Sequence, residues 1–158
     1  MTTVTVTVSF EPDSRGFTSR ACPECGKRFK AAFGKGSSHP LAFCPFCHHE
    51  GARWETPEQI EYGRAYATRE VVQPHFDKLD RSLRDLERAG GRHLRVRVSG
   101  HMPRLDVPAK PVEGEDDMPE CTIFTCCTEV VRHASENEPA FCPICGEAHA
   151  QVQEASHG

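Results

Sequence analysis

Nine cysteines carry most of the chemistry available to this chain, and their spacing favours a metal. Cys22-Pro23-Glu24-Cys25 and Cys44-Pro45-Phe46-Cys47 are two Cys-x-x-Cys turns with eighteen residues between them. Two residues between thiols let a tight turn aim both sulfurs at one point, and two such turns supply the four thiolates of a tetrahedral site. Gly26 suits a turn that needs positive φ, while Pro23 and Pro45 stiffen their turns by fixing φ. A third pair, Cys142-Pro143-Ile144-Cys145 followed by Gly146, has the same form. Its mate does not, because Cys121, Cys126 and Cys127 offer three thiols and no Cys-x-x-Cys. Thr122-Ile123-Phe124-Thr125 reads as a strand entering the turn, which would carry Cys121 roughly 13 Å away. The vicinal pair Cys126 and Cys127 is therefore expected to complete the second site on a bent backbone. Cys121 is the alternative, and His133 or Glu129 is a substitute for one thiol.

Cys-Pro-Glu-Cys-Gly, Phe-Cys-Pro-Phe-Cys and Phe-Cys-Pro-Ile-Cys-Gly resemble the knuckles of zinc-ribbon proteins of the rubredoxin type. The resemblance covers roughly residues 18–52 and 121–150. It implies two zinc ions, each in a small β-hairpin ribbon, and says little about function, because ribbons serve many unrelated tasks.

The composition agrees with a metal in place of a core. Hydrophobic residues make up 37% and aromatics 8% of 158 residues, and a ribbon of some 35 residues buries too little to hold itself together. The odd cysteine count, the metal spacing and the lack of a leading apolar run disfavour a disulfide scaffold. A reducing cytoplasm is the expected compartment, with no membrane span. The net charge of −4 hides an asymmetry: residues 1–110 hold 18 Lys/Arg and 13 Asp/Glu, while residues 111–158 hold one Arg and 10 acids.

The elements that must position the thiols follow from periodicity. The expected fold is a small α+β one: two zinc ribbons with a helical hairpin and flanking strands between them. Val4, Val6 and Val8 alternate with threonines, predicting a strand over 3–10. Phe29, Phe33 and Phe43 are expected to form the miniature core of ribbon one (18–52). Thr56-Pro57-Glu58-Gln59 is a helix start signal, and Trp54 just before it can pack ribbon on helix. Pro74 then divides helices over about 57–72 and 75–89. Phe76, Leu79, Leu83 and Leu86 form a two-heptad seam, and Gly90-Gly91 ends the run. Leu94, Val96 and Val98 predict a strand over 93–99. Residues 1–100 then make one α+β unit, 101–120 an acidic, proline-rich linker, 121–150 ribbon two and 151–158 a tail.

No phosphate loop, His-Glu-x-x-His helix or serine-nucleophile motif occurs, and a site filled by four cysteines leaves no open coordination position. The expected function is a non-catalytic structural-zinc module that binds nucleic acid. Local basic excess at 15–53 and 81–104 makes Lys27, Arg28, Lys30, Arg95 and Arg97 its candidate contacts. The alternative is a protein-interaction adaptor working through the acidic C-terminal ribbon or through the Phe76, Leu79, Leu83 and Leu86 seam, the latter also the route to a homodimer. No small-molecule substrate is expected. His48 and His49 read as surface or turn residues.

Overall fold

The computed structural model describes residues 4–32, 40–90, 97–114 and 118–149. They fall into two compact units, Met1–Ser9 with Glu58–Lys110, and Phe10–Pro57 with Pro111–Gly158. This partition differs from the expected one. Both ribbons lie in a single unit, and the segment taken as a linker is shared between the two.

The unit that holds the ribbons is built on a four-stranded antiparallel sheet in the order β1-β2-β4-β3. Its strands are β1 (Phe17–Ala21), β2 (Arg28–Ala32), β3 (Glu120–Phe124) and β4 (Glu129–His133). Each ribbon contributes one hairpin. β1 and β2 pair from Phe17↔Ala32 to Ala21↔Arg28, and β3 and β4 from Glu120↔His133 to Phe124↔Glu129. The hairpins join where β2 meets β4, at Lys30↔Arg132 and Ala31↔Val131. Neither hairpin alone carries enough apolar surface, and joining them buries one shared core. That core holds Phe29, Ala31, Leu41, Trp54, Phe124 and Val131 with Cys22, Cys44 and Cys142. Phe29 meets Phe46 and Trp54 edge-on at 6.0 and 6.2 Å. The expectation for the phenylalanines thus holds for Phe29. Phe43 is only half-buried, and Phe33 lies outside the described residues. Trp54 belongs to the ribbon core, its indole donating to the Leu41 carbonyl at 3.0 Å.

Lys30 is 1% exposed in the middle of this sheet. A buried ammonium needs paired charge. Lys30 finds Asp13 at 3.5 Å and Glu113 at 4.0 Å, and donates to the Gly114 carbonyl. Glu113 also accepts from the Ser19 hydroxyl. Part of the acidic stretch is therefore docked on β1 and β2, and Met118, just beyond it, is buried.

The other unit is dominated by α1 (Pro57–Ala89), 33 residues or about 50 Å long. It replaces the expected helical hairpin, because Pro74 lies inside it. A proline removes only its own amide donor, and exposed Pro74 leaves the orphaned carbonyl within reach of water. Side-chain pairs hold consecutive turns across and beyond that point, Gln73 to Asp77 at 2.9 Å and Arg84 to Asp80 at 2.9 Å. Residues 97–107 run beside α1 without strand structure. The Leu105 amide donates to Gln73 Oε1 at 2.9 Å, and His101 lies against Arg84 and Asp80. The two predicted strands do not form among the described residues: 4–10 and 97–99 have no regular pairing, and 93–96 lie outside the description. Alternating valines need a sheet to alternate against, and among its described residues this unit has none.

Candidate metal centres

Three turns share one hydrogen-bond pattern. The Cys22 amide donates to the Lys27 carbonyl, and the Gly26 amide to that of Cys22. The same two bonds link Cys44 with His49 and His48, and Cys142 with Glu147 and Gly146. The ring so formed needs positive φ at the residue after the second cysteine. Gly26 (φ 70°) and Gly146 (φ 73°) supply it at little cost, and His48 (φ 61°) adopts it despite its Cβ. His48 is thus an exposed turn residue, as expected, held at the left-handed position of its ring. Its ring stacks on Phe43 at 5.0 Å and lies 4.9 Å from Phe141.

These turns bring Cys22, Cys25, Cys44 and Cys47 together, with all four sulfurs within 4.8 Å of one another. Cys22 and Cys47 are 3.7 Å apart and Cys25 and Cys44 3.8 Å. A tetrahedral ion with metal–sulfur bonds of about 2.3 Å requires sulfur–sulfur edges of about 3.8 Å, which these two edges match, so the four thiols could hold a metal ion. Backbone amides point at the sulfurs, Cys25 N to Cys22 Sγ at 3.5 Å and Phe46 N to Cys44 Sγ at 3.4 Å. Burial pushes the Cys44 thiol far up despite such donors, and pushes Cys25 up as well. Burial also opposes ionisation of Cys47, but the His49 amide and the neighbouring thiols hold it below its ordinary value. Metal binding must displace the protons of the raised thiols.

Cys126, Cys127, Cys142 and Cys145 form a second cluster on the same criterion, with Cys145 and Cys126 sulfurs at 3.6 Å. The vicinal pair occupies the four-residue loop between β3 and β4, against six residues between β1 and β2. Thr128, directly after Cys127, has φ 54°, so the shortened loop keeps the left-handed residue of the longer ones. Burial with the crowding of Cys142 and Cys145 pushes the Cys126 thiol up to about 12, and Cys145 together with burial pushes Cys127 to about 11. The Glu147 amide instead lowers Cys145. Cys121 sits exposed on β3 opposite Arg132, outside the cluster. His133 is tied into the sheet between Thr122 and the Ala134 carbonyl, both at 2.9 Å, and Glu129 is buried and not among the clustered ligands.

The two centres are related by an internal twofold. The Pro45 carbonyl accepts from the amides of Ala140 and Phe141, at 2.7 and 3.0 Å. The Pro143 carbonyl accepts from the matching amides of Ala42 and Phe43, both at 2.9 Å. Phe43↔Glu50 and Phe141↔Ala148 are matching bridges, and the pairing of β2 with β4 obeys the same symmetry. The repeated Phe-Cys-Pro-x-Cys was the visible signal of this relation, but docking of one copy on the other was not legible in it.

The expected nucleic-acid contacts are divided between the two units. Lys30, expected to meet phosphate, is instead buried in ion pairs and cannot reach one. Lys27 is exposed with its ammonium 5.3 Å from the Phe46 ring centre, Arg28 is exposed at the start of β2, and Arg97 is exposed in the other unit. Arg95 lies outside the described residues. No helix among the described residues is long and apolar enough to cross a membrane. Comparison with models of protein families, with curated proteins and with solved structures finds no match.

Proposed function

We propose that this chain is a non-catalytic zinc protein whose two metal sites supplement a small shared core, and that it works as a protein-interaction module through α1. Each site offers four thiolates, which fill a tetrahedral ion and leave no position for substrate. All-sulfur tetrahedral donors suit zinc or iron. A colourless protein carrying two zinc ions by native mass spectrometry supports the zinc reading, and a coloured, iron-loaded one overturns it.

The observation that carries the interaction reading is the exposure of α1. Gln59 is its one buried residue, while Ile60, Val71, Leu79 and Leu86 are 41, 37, 46 and 58% exposed. Because the helix continues through Pro74, the seam of Phe76, Leu79, Leu83 and Leu86 extends back through Val72, Arg69, Ala65 and Tyr62 at the same spacing. A seam of this period fits another helix, and a second copy of the chain is the occupant chosen here. In a parallel pair Arg69 would meet its own counterpart. An antiparallel pair centred near Pro74 sets Arg69 beside Asp80 of the second copy, which favours that arrangement. Sedimentation equilibrium tests it: wild type is a dimer and Leu79→Asp with Leu86→Asp a monomer. A monomeric wild type at high micromolar concentration refutes it.

Nucleic acid is the second reading, favoured by exposed Lys27 and Arg28 side by side at the mouth of the first site. Its test is binding across a salt series, where counterion release demands a steep fall in affinity. Absent or salt-insensitive binding removes it.

A further inference from the structure

Site one takes its thiols from two six-residue rings, whereas site two takes Cys126 and Cys127 from adjacent positions of a four-residue loop. Two consequences follow. In site one Cys22 and Cys44 are buried, but in site two only Cys142 is; Cys126 and Cys145 are exposed and Cys127 is half-exposed. Amide donors reach Cys22, Cys25, Cys44 and Cys47 in site one. In site two the Glu147 amide reaches Cys145, and among the described residues no backbone amide donates to Cys126 or Cys127. Amides that share a thiolate's charge hold it in place and blunt its attack on other partners, and loss of such support typically weakens a metal site.

The hairpin that carries the vicinal pair has contacts that do not pass through the ion. β3 and β4 pair over their full five residues, Phe124 and Val131 are in the shared core, and β4 is bonded to β2. Opening the loop at Cys126 and Cys127 leaves those contacts intact.

We infer that site two is an exchangeable zinc site, giving up its ion to competing chelators and thiol-rich acceptors while site one keeps its own and holds the sheet. This rests on the zinc reading above. The acceptor approaches from the exposed side, displacing Cys126 or Cys127 first, because these thiolates are accessible and without amide support.

The test uses full-length protein loaded with zinc and counted by native mass spectrometry, then challenged with the chromogenic chelator 4-(2-pyridylazo)resorcinol. One zinc per chain is expected to leave about tenfold faster or more than the other. The one-zinc species should retain the sheet by circular dichroism. Cys126→Ser should remove the fast phase and leave the slow one. Replacing residues 125–128 with Cys-Pro-Glu-Cys-Gly-Lys, the loop of site one, should slow the fast phase toward the slow one. A single release phase for both ions overturns the inference, as does a fast phase that survives in Cys126→Ser. A starting count of one zinc instead overturns the two-zinc reading on which it stands.

Discussion

Ribbon one and ribbon two perform the same geometric task with different loops. In ribbon one, two Cys-x-x-Cys rings each close with two backbone hydrogen bonds and a left-handed residue, so the chain presents its thiols already supported. Ribbon two keeps one such ring and shortens the other by two residues, retaining the left-handed turn at Thr128 and the convergence of four sulfurs. The contrast separates two requirements that a full knuckle meets together. Convergence of the sulfurs needs only a sharp reversal of chain, whereas burial and amide support need the full ring.

The largest test of that contrast is removal of one thiol from each site. Cys44→Ser is expected to release the first zinc and unfold the sheet cooperatively, because apparent zinc binding contributes on the order of 10 kcal/mol in small zinc domains. Cys126→Ser should cost one zinc and leave the strands paired. Cys121→Ser, outside both clusters, should change stability by less than about 0.5 kcal/mol. Zinc counting and thermal melts check all three, and equal damage from Cys44→Ser and Cys126→Ser would erase the distinction.

Next in size is the ion pair that locks the acidic stretch onto ribbon one. Lys30→Met leaves two carboxylates buried without their cation and should destabilise by about 3–5 kcal/mol in denaturant titration. The pair also predicts a pH dependence. Burial pushes the Asp13 carboxyl up, but the amides of Phe17 and Arg15 and the charge of Lys30 hold it below its ordinary value. A carboxylate whose folded pKa is depressed adds stability above its unfolded pKa, near 4, and loses it as pH falls through the folded value. The stability gap between wild type and Asp13→Asn, measured at saturating zinc, should therefore narrow below about pH 4.

The left-handed residues give a smaller and signed test. Thr128→Gly relieves a β-branched residue at φ 54° and should stabilise ribbon two by about 1 kcal/mol. Gly146→Ala should destabilise by at least about 1 kcal/mol, since the new Cβ at φ 73° would sit 2.7 Å from His48 Nε2. Paired melts of the two variants decide the sign at each loop. Smallest of all, Leu79→Asp with Leu86→Asp should leave the melting temperature of the monomer nearly unchanged, because both side chains are exposed.

The sequence by itself determined which atoms converge. Cys-x-x-Cys spacing and the entry strand before Cys126 are local facts, and local backbone geometry suffices to read them. The same locality explains the α1 start at Pro57 and the core role of Phe29. What only the tertiary structure decided was every relation between distant segments. Two hairpins fused into one sheet because neither could bury its own apolar face. The Pro45 and Pro143 carbonyls accept equivalent hydrogen bonds from the opposite ribbon across a twofold that no single ribbon contains. Lys30, which reads as a cation for phosphate beside Lys27 and Arg28, was turned inward to Asp13 and Glu113, the latter more than eighty residues away in sequence. Side-chain alternation fixes only that Lys30 faces opposite to Phe29 and Ala31. Whether the opposite face meets water or an acidic strap depends on where the rest of the chain returns.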